Sequence, residues 1–132
     1  MGVRIVLADD NETIRQLIKA LLESRSDWRV VGEASNGRDA IEKTRALNPD
    51  VVILDFRMPG LNGIDATRAI VKESPGMAVV LLTVHDSKTL TRLALRAGAR
   101  CCLGKSKVAQ HLVEAVESAI APQHARAPKK PR

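Results

Sequence analysis

Short apolar runs alternate along the chain with segments in which apolar residues recur at helical spacing. Five apolar runs of four to seven residues, bounded by turn residues, predict buried β-strands. They cover residues 3–8, 29–34, 51–56, 77–83 and 100–103. This alternation predicts an α/β domain with a parallel sheet and helices on both faces, since right-handed crossovers allow little else.

Five predicted helices follow the strands. In the first, after Asp10 and Asn11, which can cap a helix N-terminus, apolar residues recur at i, i+3, i+4, i+7 and i+8. The second helix covers residues 37–47, the third lies between Gly63 and Ser74, the fourth covers residues 87–97, and the fifth runs from residue 108 to Pro122. The side chains predicted to face the core are Ile14, Leu17, Ile18, Leu21 and Leu22 in the first helix and Leu90, Leu93, Ala94 and Ala97 in the fourth.

The size and charge of the chain limit its classes of function. With 132 residues the chain forms one domain, predicted over residues 1–121. The net charge is +6, but four of the cations lie in residues 122–132 without any acid, which leaves +2 (6 − 4) for the domain. The basic, Pro-rich segment 122–132 is predicted to be a disordered tail or a linker stub. With only Trp28 and Phe56 as aromatic residues, the domain gives no reason to expect a nucleic-acid-binding face.

Membrane insertion, disulfides and zinc binding are not predicted. No apolar run approaches the roughly 18 residues of a membrane span, and the N-terminal residues lack the apolar core and cleavage site of a signal peptide. A cytoplasmic protein is therefore expected. Cys101 and Cys102 are adjacent, a spacing that predicts buried reduced thiols. The histidines His85, His111 and His124 are scattered along the chain and do not predict a metal site.

The segment VVILDFRMPG, residues 51–60, places one carboxylate, Asp55, at the end of an apolar strand. A charge there is costly unless a site uses it. In open parallel sheets, ligands bind outside the carboxyl ends of the strands. Asp9 and Asp10 follow the first strand, Thr83 ends the fourth and Lys105 follows the fifth. Four strands therefore bring acids, a hydroxyl and an ammonium group to one edge of the sheet.

Three clustered carboxylates predict a bound divalent cation, because close pairs repel by several kcal/mol at an effective dielectric of about 20. Hard oxygen ligands favour Mg²⁺ over zinc, and Mg²⁺ commonly takes phosphate oxygens as further ligands. Asp55 is then placed as a nucleophile that forms an aspartyl phosphate, with Thr83 and Lys105 placed to bind phosphoryl oxygens. Taken singly, these residues also have structural interpretations: Asp10 as a helix cap, Thr83 as a loop cap and Lys105 as a solvated charge.

Four segments match one family pattern over about residues 3 to 120: VLADDNE, VVILDFRMPGLNG, VVLLTVHD and AGARCCLGK. With them the chain resembles a response-regulator receiver domain of two-component signalling, most like the receivers of the helix-turn-helix-output (LuxR-type) subfamily. The resemblance implies a flavodoxin-like, doubly wound five-stranded parallel sheet of strand order 2-1-3-4-5 with five helices on two faces. It also implies a signalling phosphoacceptor rather than an enzyme, catalysing only its own phosphoryl transfer and hydrolysis.

The resemblance further implies ligands and partners. A histidine kinase or phosphotransfer protein would phosphorylate Asp55, with Mg²⁺ held by Asp10, Asp55 and the backbone carbonyl of Arg57 and assisted by Asp9 through water. Thr83 and Lys105 would sense the phosphoryl group and shift the surface of the fourth helix and fifth strand. A DNA-binding output domain, which this chain does not include, and a homodimer formed on phosphorylation are also expected; a stand-alone receiver is the other expectation.

Two positions depart from the family pattern. Cys102 stands three residues before Lys105, where receivers usually carry Tyr or Phe as a switch residue, and Ser106 follows the lysine, where Pro or an acid is usual. A thiol cannot sweep the volume of an aromatic ring, so Cys102 is a switch position without the usual aromatic switch. His85 has two interpretations, as a residue that faces the phosphoryl group and affects its hydrolysis or as an exposed loop histidine.

Three alternative functions stay open at this point. A degenerate receiver, acting as a phosphorylation-independent protein-interaction module, is kept open by the missing aromatic residue, although the intact acids, Thr83 and Lys105 argue against it. A nucleotide-binding protein is suggested by GARCCLGKS, but Gly98 and Gly104 enclose five residues where a phosphate-binding loop needs four. A flavodoxin-type electron carrier would need aromatic rings around its flavin, and this chain has almost none.

Overall fold

A computed structural model describes the backbone of residues 2–85 and 87–129 and, within these ranges, the side chains up to residue 121. In this part of the chain, five strands alternate with five helices, and a short 3-10 turn, Lys105–Lys107, precedes the last helix. The strands are β1 (Val3–Ala8), β2 (Trp28–Ala34), β3 (Val51–Asp55), β4 (Ala78–Thr83) and β5 (Cys101–Gly104). The helices are α1 (Glu12–Glu23), α2 (Gly37–Leu47), α3 (Gly63–Glu73), α4 (Lys88–Ala97) and α5 (Val108–Lys129).

The sheet is parallel throughout, and its strand order is β2-β1-β3-β4-β5. The predicted doubly wound fold is confirmed. The strand order reverses between β1 and β3, and a crevice for ligands forms at such a switch point. Ala8 of β1 lies beside Leu54 of β3, so the residues that follow β1 lie next to the carboxyl end of β3.

Two apolar clusters cover the two faces of the sheet. Val52 and Leu54 point into a cluster shared with α2, α3 and α4, whereas Val51 and Ile53 point into a cluster shared with α1 and α5. Every residue of β3 is buried, including Asp55, which is 4% exposed. The fold therefore buries this carboxylate at the end of a central strand.

Side-chain caps begin the first four helices. The capping residues are Asn11, Asn36, Asn62 and Ser87, and each accepts a hydrogen bond from a backbone N–H three residues further on. Such a cap satisfies one of the backbone donors that the first helical turn leaves unpaired. Because Asn11 caps α1, the interpretation of Asp10 as the helix cap is wrong.

The apolar faces of α1 and α4 are narrower than their spacing predicts. Leu17 is 59% exposed and Leu93 is 39% exposed, although both belong to the predicted inward faces. On α1, Ile18 and Leu22 are the fully buried positions, and on α4 they are Ala94 and Ala97. The predictions for Leu17 and Leu93 are wrong, because a helix at the sheet surface buries only the stripe nearest to the strands.

Helix α5 extends further than the sequence predicts. It continues past Pro122, its predicted end, to Lys129. A proline removes one backbone donor from a helix, but the alanine residues around it favour the helical conformation. Residues 130–132 and the side chains of residues 122–129 lie outside the described residues, so the disordered tail stays a prediction. Within the described residues, no helix combines the length and the apolar character needed to cross a membrane.

Candidate functional site

Three carboxylates meet at the carboxyl ends of β1 and β3. Asp9 and Asp10 directly follow β1, Asp55 is the last residue of β3, and the two strands are neighbours in parallel register. One carboxylate oxygen from each of the three residues lies within 4.8 Å of the others. Asp9 and Asp55 are buried, whereas Asp10 is exposed. The predicted acidic cluster is therefore assembled by the strand pairing itself.

Lys105 places an ammonium group between the two buried carboxylates. Its Nζ atom lies 2.9 Å from Asp9 Oδ2 and 3.2 Å from Asp55 Oδ2, and its side chain is 18% exposed. Lys105 reaches this position because it opens the 3-10 turn after β5, at the same edge of the sheet. The interpretation of Lys105 as a solvated charge is therefore wrong.

The electrostatics of the site disfavour an ionised Asp55. Burial raises the pKa of Asp55 to about 6, the Asp9 carboxylate contributes in the same direction, and the Lys105 ammonium offsets only part of the effect. For Lys105, burial opposes the charged amine, but the ion pairs with Asp9 and Asp55 outweigh it and raise the pKa. The site thus holds a protonated lysine whose charge only partly compensates the burial of Asp55 and its repulsion by Asp9.

The residues present fit a divalent cation. Three carboxylates face one ammonium, which leaves an excess of two negative charges when all groups are ionised. Asp9 Oδ2 is buried and forms no hydrogen bond of regular geometry with the described residues, although Lys105 lies at ion-pair distance. Hard carboxylate oxygens are the ligands that Mg²⁺ or Ca²⁺ prefers. The donor set and its charge therefore suit such an ion.

An open cavity of about 420 Å³ gives access to this cluster. Asp10, Asp55, Arg57, Val84 and Lys105 are among the residues that line it. Arg57 is exposed, lies two residues beyond the end of β3 and lines the cavity. Coordination of a metal by the Arg57 carbonyl stays a prediction.

Thr83 lies at the predicted edge of the sheet, but its hydroxyl forms hydrogen bonds with the backbone of His85. Thr83 ends β4 and is 4% exposed. Its Oγ1 atom accepts a hydrogen bond from the His85 N–H at 3.1 Å and donates one to the His85 carbonyl at 3.2 Å. Thr83 thus caps the loop that follows β4 in this structure, as its structural interpretation expects. His85 itself is exposed, and an effect of its ring on hydrolysis stays a prediction.

Cys102 lies in the strand leading to Lys105, half-buried against the cluster shared with α2, α3 and α4. Cys101 packs on the opposite cluster, as alternate residues of a strand do. Within the described residues neither cysteine forms a disulfide, and burial raises the pKa of the Cys101 thiol. The reduced state of the thiols stays a prediction, and both side chains are partly exposed rather than fully buried as predicted.

Two residues near the cluster were not predicted from the sequence. Arg15 of α1 donates a hydrogen bond from Nη1 to the backbone carbonyl of Asp9 at 2.8 Å and one from Nε to Glu33 Oε1 at 2.9 Å. A signal for Glu33 existed, because it is a single acid inside the apolar strand β2, as Asp55 is in β3. No spacing rule links Arg15 to either partner, since the contact depends on how α1 packs.

Comparison with known proteins agrees with the geometry of the site. UvrY, a response regulator of Escherichia coli O6:H1, is 38% identical over 121 residues, which cover 92% of this chain and 56% of UvrY. The chemotaxis protein CheY of Thermotoga maritima is 34% identical over 116 residues, which cover 88% of this chain and 96% of CheY. A LuxR-family two-component response regulator from Aurantimonas sp. has a structure with a TM-score of 0.89 and 33% identity, covering 92% of this chain and 87% of that chain.

These similarities decide between the alternatives. The chain spans about half the length of UvrY, so the match concerns one domain of that regulator. The relatives support a LuxR-type receiver, and nothing in the described residues favours a degenerate one. Nucleotide binding loses its support, because Lys105 is engaged by two acids at the end of a strand. The sequence matches the response regulator receiver domain over residues 5–117, and the chain belongs to that family.

Proposed function

We propose that Asp55 is the phosphoacceptor of this receiver domain and that a phosphohistidine of a histidine kinase or phosphotransfer protein is the donor. An Asp55 carboxylate oxygen attacks the phosphorus atom, the P–N bond breaks, and its electron pair returns to the imidazole ring. The product is an acyl phosphate on Asp55. The observation that carries this proposal is a buried carboxylate that lies within 4.8 Å of two others and 3.2 Å from an ammonium group.

We propose Mg²⁺ as the cation of this site, held by Asp10, Asp55 and the backbone carbonyl of Arg57, with Asp9 assisting through water. When bound, the ion neutralises charge on the transferred phosphoryl group. Asp10 suits this role because its carboxylate is exposed at the cavity rather than paired in the core. Asp9 is buried and fixed by Lys105, which suits a supporting position.

Lys105 and Thr83 bind the phosphoryl oxygens in this proposal. Lys105 holds Asp55 in place before the transfer and pairs with a phosphoryl oxygen after it, since one Asp55 oxygen is then bonded to phosphorus. The Thr83 hydroxyl leaves the His85 carbonyl and donates its hydrogen bond to another phosphoryl oxygen. Cys102 occupies the position of the usual aromatic switch residue, and its small thiol gives the conventional switch no ring to move.

The receiver also returns to its starting state by hydrolysis. A water oxygen attacks the phosphorus atom, the P–O bond to Asp55 breaks, and inorganic phosphate leaves while the carboxylate is restored. This reaction and the transfer are the only ones that the domain catalyses. We further propose a DNA-binding output domain in a longer regulator, since the match covers only about half of UvrY. Dimerisation on phosphorylation and a cytoplasmic location are also part of the proposal.

Labelling with a small acyl-phosphate donor tests the assignment. With acetyl phosphate and Mg²⁺, mass spectrometry of the intact protein should show one added phosphoryl group on the wild type and none on Asp55→Asn. Asp65→Asn is the matched control, because Asp65 is an exposed acid of α3 that pairs with Arg68. Labelling that persists in Asp55→Asn would place the nucleophile elsewhere. A wild-type protein that is never labelled would support the degenerate alternative.

A further inference from the structure

Arg15 and Glu33 form an ion pair beside the acidic cluster. Arg15 Nε lies 2.9 Å from Glu33 Oε1, and the two side chains are 15% and 28% exposed. A second nitrogen of the same guanidinium, Nη1, donates to the backbone carbonyl of Asp9 at 2.8 Å. The Arg15 side chain therefore joins α1 to the strand β2 and to Asp9 of the acidic cluster.

Glu33 holds this guanidinium in a defined direction. Gln16 Nε2 donates to Glu33 Oε1 at 3.1 Å, and Lys19 Nζ lies 3.4 Å from Oε2. Burial opposes the charge of Glu33, but the hydrogen bonds from Arg15 and Lys19 keep the pKa of Glu33 below its usual value. The ionised Glu33 carboxylate therefore fixes the planar guanidinium of Arg15, and the remaining N–H groups of that guanidinium have defined directions.

The contact with Arg15 completes the restraints on Asp9. The Asp9 N–H donates to the Ala34 carbonyl at 3.0 Å, Oδ1 accepts from the Asn11 N–H at 2.9 Å, and Oδ2 pairs with Lys105. The Asp9 carbonyl belongs to the planar peptide unit that leads to Asp10. Because Asp10 is exposed, the orientation of this peptide, rather than packing in the core, sets the direction of its carboxylate.

We propose that Arg15 and Glu33 are positioning residues, which fix the Asp9–Asp10 peptide and thereby pre-orient the Asp10 carboxylate toward a divalent cation. This inference rests on the proposed function, since it concerns the same site. Outer contacts that orient metal ligands typically change metal affinity 10–100-fold. Loss of the Arg15 contact should therefore weaken Mg²⁺ binding about tenfold, with the phosphorylation rate restored once Mg²⁺ is saturating.

A matched control lies on the opposite end of β1. Arg4 Nη1 donates to the backbone carbonyls of Leu47 at 2.8 Å and Asn48 at 3.1 Å, the same kind of contact that Arg15 makes with Asp9. Arg4→Met should lower stability toward urea without changing Mg²⁺ affinity. Arg15→Met and Glu33→Gln are compared with this control. Glu33→Gln keeps the size of the side chain, so it still tests the inference if Arg15→Met does not fold.

Three measurements on each variant of the 132-residue chain separate the outcomes. They are the Mg²⁺ dissociation constant by calorimetry, the urea stability in a chelator, and the labelling rate as a function of Mg²⁺ concentration. The inference predicts weaker Mg²⁺ binding for Arg15→Met and Glu33→Gln, but not for Arg4→Met. Wild-type affinity in both site variants would overturn this inference and leave the proposed function standing. A wild-type protein that binds no Mg²⁺ would overturn both.

Discussion

In the absence of metal, Asp55→Asn should stabilise the protein. Burial, together with the Asp9 carboxylate, raises the pKa of Asp55 from 3.8 to about 6 despite the Lys105 ion pair. The folded state therefore binds this proton more tightly than the unfolded state does. Stability consequently falls as the pH rises from about 4 to about 6, where the two states differ in protonation, and the full loss persists at higher pH.

The size of the effect follows from the two pKa values. The difference between 3.8 and about 6 corresponds to about 3 kcal/mol of lost stability at pH 8 and about half of that at pH 5. Solvent screens this cost little, because Asp55 is only 4% exposed. Asparagine has nearly the same volume and cannot ionise, so the variant avoids the cost without leaving a cavity.

Urea unfolding in a chelating buffer, followed by the fluorescence of the single tryptophan, Trp28, measures this difference. Asp55→Asn should have the higher midpoint at pH 8 and a smaller advantage at pH 5, whereas the exposed Asp65→Asn should gain nothing at either pH. Mg²⁺ at ten times its dissociation constant should stabilise the wild type by about 1.4 kcal/mol and narrow the gap. An Asp55→Asn protein less stable than the wild type at pH 8 without metal would refute the reasoning, because the Lys105 ion pair would then outweigh burial.

Two further pairs of substitutions test the packing of the helices next to the site. A Cβ atom at Gly63 would lie 2.5 Å from the backbone oxygen of Asp55, so Gly63→Ala should lower the free energy of unfolding in urea by about 1–3 kcal/mol. Gly76→Ala is the control: its Cβ would meet no atom within 4 Å, and its stability should change by less than about 0.5 kcal/mol. Leu17→Ser should change stability by less than about 0.5 kcal/mol, because Leu17 is 59% exposed, while the buried Ile18 should cost about 2–5 kcal/mol when changed to Ala. A large loss of stability in Leu17→Ser would show that the buried face of α1 is as wide as its spacing predicts.

The acidic cluster could be predicted from the sequence because strand order and parallel register determine it. A carboxylate at the end of the apolar run of β3 must lie at the carboxyl edge of a parallel sheet, and Asp9 follows a strand of the same direction. Only the pairing of β1 with β3 was needed to bring Asp9 beside Asp55, and the structure has that pairing. The ammonium of Lys105 reaches the same edge for the same reason.

The contacts of α1 could not be predicted, because they depend on how a helix sits on the sheet. The apolar stripe of α1 includes both Leu17 and Ile18, but the tilt and rotation of the helix leave the first exposed and bury the second. The same placement brings Arg15 over Glu33 and the Asp9 carbonyl. Sequence spacing describes which residues share a face, whereas the docking of that face selects those that make contacts.

In the proposed function, the turn after β4 is the part of this site that phosphorylation rearranges. The Thr83 hydroxyl carries one proton, which it donates to the His85 carbonyl. It cannot donate the same proton to a phosphoryl oxygen, so binding the phosphoryl group breaks this hydrogen bond and frees the turn that leads to α4. Cys102, half-buried on the α4 side of the sheet, has no aromatic ring that could transmit the change. We therefore expect phosphorylation to alter the α4 surface through this turn.

Backbone NMR of the protein labelled by acetyl phosphate distinguishes the two routes. The amide resonance of His85 should shift on phosphorylation of the wild type and of Cys102→Ala, since the hydroxyl that accepts its hydrogen bond moves in both. In Thr83→Val, which has no hydroxyl at this position, that change should be absent even where Asp55 is labelled. A His85 shift abolished by Cys102→Ala and retained by Thr83→Val would assign the switch to the thiol instead, because the turn would then respond to the strand β5 rather than to the phosphoryl group.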